Sequence, residues 1–149
     1  VGPGAGTPRP QAPDLDHHGQ PKIVPMRLAA DIQIAAGDAD PRGMSVVGAD
    51  GEVAGAVSDV WVDRPEALVR YLEVTLKAND RQVLLPITQA VVRGKQGKVM
   101  VDAITADQFK DVPTLSDPHQ VTLDEEERVC AYYGAGYLYA VPSRAESWA

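Results

Sequence analysis

Met44-Ser45-Val46-Val47-Gly48-Ala49-Asp50-Gly51-Glu52-Val53-Ala54-Gly55-Ala56-Val57-Ser58-Asp59-Val60-Trp61-Val62 is the stretch that decides the fold. Two β-branched, apolar runs, Met44–Val47 and Val53–Val62, flank Asp50-Gly51. An Asp-Gly pair between such runs predicts a tight hairpin, because both central residues of that turn need positive φ. The same texture continues outward. Val69–Leu76 is β-rich, with Leu72, Val74 and Leu76 on one face and Arg70 in phase with them. Asn79-Asp80 supplies the next turn. Gln82–Pro86 and Ile87–Val92 follow, then a turn near Gly94–Gly97, then Lys98–Ala103. Short strands with turns about every ten residues predict a mainly β fold, a small antiparallel barrel or sandwich.

Beyond the strands the pattern changes. Thr105–Phe109 fits a short helical turn, and Pro113 and Pro118 break the chain after it. Thr122-Leu123-Asp124-Glu125 reads as a capping box, in which the Thr hydroxyl accepts from a backbone N–H and Glu125 reaches back to the first turn. Acids at 124–127 suit the positive end of a helix. Val129, Tyr132, Tyr133 and Gly136 then recur at helical spacing, and Gly134 and Gly136 are expected to end the helix. In the other direction, Val1–Pro13 is rich in Pro and Gly and is expected to be extended. Asp14–Pro25 is still loop-like. The division expected is an irregular segment 1–43 and a β domain with a C-terminal helix, 44–149.

Bulk properties narrow the function. The chain has 149 residues, enough for one domain, and a net charge of -7. That balance lacks the basic footprint of a nucleic-acid binder and disfavours anionic lipid head groups. One cysteine, Cys130, excludes an internal disulfide and a zinc site of several thiolates. Placed among apolar helix residues, it is expected to be packed rather than reactive. The tyrosines at 132, 133, 137 and 139 read as core or interface. No apolar run reaches the roughly 20 residues that span a bilayer. The chain begins Val1-Gly2-Pro3-Gly4 rather than with Met, so a fragment with an anchor upstream is expected. No phosphate-binding glycine loop, Gly-x-Ser-x-Gly elbow or nucleophilic triad is present.

Two clusters could carry chemistry. Asp16-His17-His18-Gly19 is either a solvated polar loop or a surface group of acid and imidazole that exchanges protons near neutral pH. Its adjacent histidines lack the spacing of a dedicated metal site. Trp61-Val62-Asp63-Arg64-Pro65-Glu66, followed by Arg70 and Glu73, is either a charged connection with screened ion pairs or a proton-handling group. In the second case Asp63 and Glu66, three apart around a proline turn, are bridged by water, and one lies deep enough for its pKa to rise. Arg70 would keep one of them ionised.

Several of these stretches, in order along the chain, resemble the H subunit of the purple-bacterial photosynthetic reaction centre. The resemblance is carried by Val1-Gly2-Pro3, Lys22-Ile23-Val24-Pro25-Met26, Trp61–Glu66 and Arg70-Tyr71-Leu72-Glu73. It continues through Val121-Thr122-Leu123-x-Glu125-Glu126, Ala131-Tyr132-Tyr133, Leu138-Tyr139-Ala140 and Arg144-Ala145-Glu146-Ser147. It implies a PRC-barrel with a short C-terminal helix, without a catalytic centre of its own. The domain would lie on the cytoplasmic face of the photosynthetic membrane against the L and M subunits, held by an upstream transmembrane helix. Those partners would hold the quinone, bacteriochlorophyll, bacteriopheophytin and non-haem iron, and this chain would bind no cofactor or metal directly.

The resemblance also implies a role in guiding protons to the secondary quinone. Glu66 matches the family's internal glutamate on that path, Asp63 its neighbouring aspartate, and Asp16 and His18 its surface entry acids and histidines. Arg70 matches the arginine beside them, with Glu73 as a further electrostatic partner. Where the family has a second entry histidine this chain has Gln20, which cannot titrate. His17 is the nearest substitute, but its side chain is expected to point elsewhere. Two other readings remain open at this stage: a structural cap without proton conduction, and a free-standing PRC-barrel protein-binding module.

Overall fold

A computed structural model describes residues 11–29, 31–34 and 39–140. The expected extended start at 1–10, including the Val1-Gly2-Pro3 motif, and the Arg144–Ser147 motif lie outside the described residues, as do the side chains of 138–140. Seven strands form one sheet: β1 (Ile23–Pro25), β2 (Ser45–Val47), β3 (Val53–Asp63), β4 (Leu68–Leu76), β5 (Gln82–Pro86), β6 (Val91–Arg93) and β7 (Lys98–Met100). The hydrogen-bonded order is β5-β4-β3-β2-β7-β6, and β1 joins β3 off this path. One helix, α1 (Leu123–Ala140), follows. The mainly β barrel with a C-terminal helix is the predicted architecture.

β3 organises the sheet. With 11 residues it is the longest strand, and β4 runs antiparallel along one of its edges. The other edge is shared end to end by two short strands. Ser45–Val47 of β2 pairs at its start, and Ile23–Pro25 of β1 pairs with Trp61–Asp63 at its end. The segment before residue 44, expected to be irregular and loop-like, therefore contributes a strand and the core residues Ile23, Val24, Met26 and Ala29. Its β-branched Ile-Val pair precedes a proline, whose missing N–H is tolerated at the end of an edge strand.

Three further details depart from the sequence reading. The sheet is not wholly antiparallel, because β2 and β7 pair in parallel, Val46 opposite Val99. The connection around Asp50-Gly51 is a longer loop: the Gly48 N–H donates to the Glu52 carbonyl at 2.9 Å, and of the central pair Gly51 alone has positive φ, 79°. Ile87–Gln89 forms a 3-10 turn rather than extending a strand.

Strand alternation builds the core. Val60, Leu72 and Leu85 stand in register across β3, β4 and β5, and Val57, Val74 and Val83 form the next row. All six side chains are buried, each worth about 1.5–3 kcal/mol relative to exposure. The opposite face of the same strands carries the row Trp61–Tyr71–Pro86. This face is covered by α1, whose Tyr133 hydroxyl donates to the Leu84 carbonyl at 2.9 Å and packs edge-on against Phe109.

Helix α1 starts as its capping box predicts. The Glu125 N–H donates to Thr122 Oγ1 at 3.0 Å, and the Thr122 N–H donates to Glu125 Oε1 at 2.9 Å. It does not end at Gly134 or Gly136 but continues to Ala140. At Gly136 a Cβ would meet Ile104 Cγ2, so the glycine serves close packing instead of termination. Val129 and Tyr133 are buried on this face. Cys130, expected to be packed, is exposed, because it falls one residue past Val129 on the helix.

Candidate functional site

The ladder between β3 and β4 contains two β-bulges. Asp59 pairs with Glu73 and Val57 with Val74, which leaves Ser58 as the extra residue on β3. Trp61 pairs with Tyr71 and Val62 with Val69, which leaves Arg70 as the extra residue on β4. A bulge re-aims a side chain, and here each delivers a polar group to a carboxylate. Ser58 Oγ donates to Glu73 Oε2 at 2.7 Å, and Arg70 Nη1 donates to Asp63 Oδ2 at 3.3 Å.

The second bulge forms the hairpin tip singled out in the sequence. Asp63 is buried (6% exposed), and its Oδ1 also accepts the Glu66 N–H at 3.2 Å, closing the turn. Arg70 is half exposed, so its pairing with Asp63 is partly screened. Glu66 is exposed. The depth expected of one member of the Asp63–Glu66 pair falls to Asp63. Ala67 follows in the left-handed region, φ 53°, unusual for a residue with a Cβ.

The loop carrying Asp16 and His18 is ordered by its own aspartate. Asp16 Oδ1 accepts the N–H groups of His18 and Gln20, each at 2.9 Å. These bonds, the one from Gln20 foremost, hold its carboxyl below the usual aspartate range despite partial desolvation. A Leu15–Pro21 bridge and an Asp14–Lys22 ion pair of 3.5 Å complete the loop. The His17 and His18 rings lie 4.0 Å apart at 42°. Gln20, which replaces the expected second histidine, helps hold Asp16 through its backbone.

β1 brings these two clusters to one end of the barrel. Ile23 pairs with Asp63, and the Arg64 N–H donates to the Lys22 carbonyl at 2.7 Å. On the helix side, the Leu123 N–H donates to the Ala12 carbonyl at 2.9 Å. The loop thus lies between the start of α1 and the hairpin tip. Glu126, in the first turn of α1, joins the group. Its Oε1 accepts the Tyr71 hydroxyl at 2.7 Å, and the charges of Arg70, Asp14 and Asp63 all act on it. Sequence reading used Glu126 as a helix-start acid and as part of a resembling motif, with no site role. Its role depends on packing between positions 71 and 126, 55 apart in the chain.

Glu73, expected beside Arg70, bonds elsewhere. The bulge at Arg70 interrupts the alternation of β4, and Arg70 reaches Asp63 instead. Glu73 Oε1 accepts from Arg27 Nη1 at 3.0 Å and from Trp61 Nε1 at 3.2 Å. Arg27 Nη1 also donates to Asp59 Oδ2 at 3.0 Å, and its Nη2 donates to the Pro118 carbonyl at 2.7 Å. Asp59 Oδ1 accepts the Val60 N–H at 2.8 Å. Asp59 and Glu73 are both buried. Beside them a cavity of about 260 Å³ lies between Trp61, Glu73, Leu84, Leu115 and Pro118. Arg27, Asp59 and Ser58 are residues that sequence reading missed.

The arrangement therefore separates a closed ionic cluster from an open group of acids. The PRC-barrel domain family matches residues 34–108, half of the chain. This chain belongs to the PRC-barrel domain family.

Proposed function

We propose that the chain is the barrel domain of an H-type subunit of a photosynthetic reaction centre, which covers the L and M subunits and passes protons toward the secondary quinone. The observation that carries this reading is the β1–β3 pairing, which sets the Asp16/His18 loop next to Asp63, Arg70 and Glu66 although the two clusters lie more than 40 positions apart in the chain. An imidazole at a loop surface is the side-chain type that exchanges protons with water near neutral pH, and the ionised Asp16 lies beside it. In this reading Asp63, buried at the neighbouring hairpin end, receives them. Glu66 stands at the exposed tip, where a docked partner would enclose it. Among the described residues no helix is long and apolar enough to cross a membrane; in this reading the partner subunits hold the domain at the membrane. The pigments, the quinone and the iron would belong to those partners.

The exposure of Glu66 in the chain alone also favours a second reading, a cap that stabilises the complex while protons enter elsewhere. Flash-induced electron transfer in reaction centres carrying Glu66→Gln separates the two. Slowed second electron transfer to the quinone, with primary charge separation intact, is expected for proton conduction. An unchanged rate across pH would leave only the cap.

A further inference from the structure

Charge is unevenly spread along this chain. Residues 81–101 contain Arg81, Arg93, Lys95 and Lys98 and no acid. The remaining 10 of the 14 basic residues stand against all 21 acids. Three of the four cations meet on the ribbon formed by β6 and β7. Val92 and Val99 pair across this ribbon and pack into the core. The pairs on either side of them, Val91–Met100 and Arg93–Lys98, therefore stand on the outer face. Val91 is 52% exposed, and Arg93 and Lys98 are exposed. Lys95 lies in the exposed 3-10 turn that joins the strands. The outer face thus runs from an apolar pair to a cation pair to a third cation at the tip.

Arg93 and Lys98 are like charges set directly opposite each other, an arrangement that costs stability. Among the described residues, Lys22, Arg27, Arg42, Arg70, Lys110 and Arg128 are in ion pairs, and the three cations of the ribbon are not. The neighbouring loop does not neutralise them. It approaches at Ala39, which a Cβ on Gly94 would meet, and its Asp40 is already bonded to Arg42 through three side-chain bonds. Asp102 is the first acid past the ribbon.

We infer that the outer face of the β6–β7 ribbon is a contact for an anionic lipid surface, with the three cations on headgroup phosphates and Val91 entering the layer beside them. The net charge of the chain opposes such a contact as a whole. Screening limits each charge to about 10 Å at 0.1 M salt, however, so an approaching surface meets the local patch. A headgroup layer sets phosphate next to hydrocarbon, and this face sets cations next to an exposed valine. A small free anion would answer the Arg93–Lys98 pair and leave Val91 in water. Cations on an edge strand also guard against strand addition, but that role alone gives no response to lipid charge. The inference rests on this charge layout and not on the reaction-centre reading, so either can fail without the other.

The test is a set of backbone amide NMR titrations of the 149-residue chain. One uses small bicelles of phosphatidylcholine, and one uses bicelles in which half of that lipid is replaced by phosphatidylglycerol. Amide shifts at 91–98 are expected to move with the charged bicelles alone, and to return when added salt shortens the screening length to about 3 Å. Lys95→Gln and Lys98→Gln should each weaken the apparent affinity about fivefold. Val91→Ser should weaken it while leaving the salt dependence unchanged. Amides elsewhere in the chain report whether each variant is folded. No response to phosphatidylglycerol, or one spread over other surfaces, overturns the inference. An equal response to inorganic phosphate overturns it in favour of a free anion. A response to polyglutamate without one to charged bicelles overturns it in favour of an acidic protein partner.

Discussion

The two carboxylate groups on β3 and β4 use the same parts and reach opposite ends. In each, a bulge turns a polar side chain toward an acid: Ser58 toward Glu73, with Arg27 added, and Arg70 itself toward Asp63. Around Asp59 and Glu73, one guanidinium bonds both acids and a carbonyl beyond them, and Ser58 and Trp61 add further donors. Around Asp63, Arg70 is half exposed and Glu66 stands in solvent. Asp63 is itself buried, like Asp59 and Glu73, so the difference is donor count and the exposure of the neighbours. A buried acid saturated by fixed donors is a structural tie. An acid whose partners are exposed to water is open to proton exchange through them. Burial of charge is thus no mark of chemistry by itself.

The largest test of this contrast removes the arginine of the closed cluster. Arg27→Met leaves Asp59 and Glu73 buried without their shared cation, and should cost about 3 kcal/mol in urea unfolding. Arg27→Lys keeps the charge but not the fork that spans three acceptors, so it should fall between wild type and Arg27→Met. A loss no greater than that of an exposed ion pair, below about 1 kcal/mol, would erase the distinction between the two groups.

At the open end the sign should reverse. Ala67 adopts φ 53° at the hairpin tip, and Ala67→Gly relieves the left-handed strain at the expense of chain entropy. The net expectation is a gain of up to about 1 kcal/mol. Destabilisation in the same unfolding measurement would mean that the tip is held by contacts of the Ala67 methyl group.

The smallest effect is a pH dependence. The folded carboxyl of Glu126 holds its proton to higher pH than the unfolded chain does. Between those two values the folded state binds more protons, so its contribution to stability falls as pH rises through the window above the ordinary glutamate pKa. Glu126→Gln should flatten that fall. Its exposed fraction keeps the change modest. A thermal midpoint profile that still declines equally in the variant would assign the effect to another group.

Local chemistry was legible in the sequence. Thr122 and Glu125 are three apart, and their reciprocal bonds need only a helix start. Gln82–Pro86 is an apolar run bounded by turns, and the Asp63–Arg70 pair closes across one hairpin. What depends on distant packing was not legible. Arg27 meets partners 32 and 46 positions away, and no periodicity announces such a meeting. The bulges at Ser58 and Arg70 shift the register without any special residue type. Gly134 and Gly136 looked like a helix end because a glycine that relieves crowding and one that stops a helix are the same letter. Glu66 was placed correctly at a proline turn, but its depth depends on what lies opposite.

The shared edge of β3 has a further consequence. Trp61–Asp63 relies on three residues near the start of the described chain for its hydrogen bonds on that side. A protease cut just after Pro25 that released the arm would bare a short row of backbone donors and acceptors beside the core. Such an unsealed seam invites a strand from another molecule, so the clipped protein should self-associate more than the intact one.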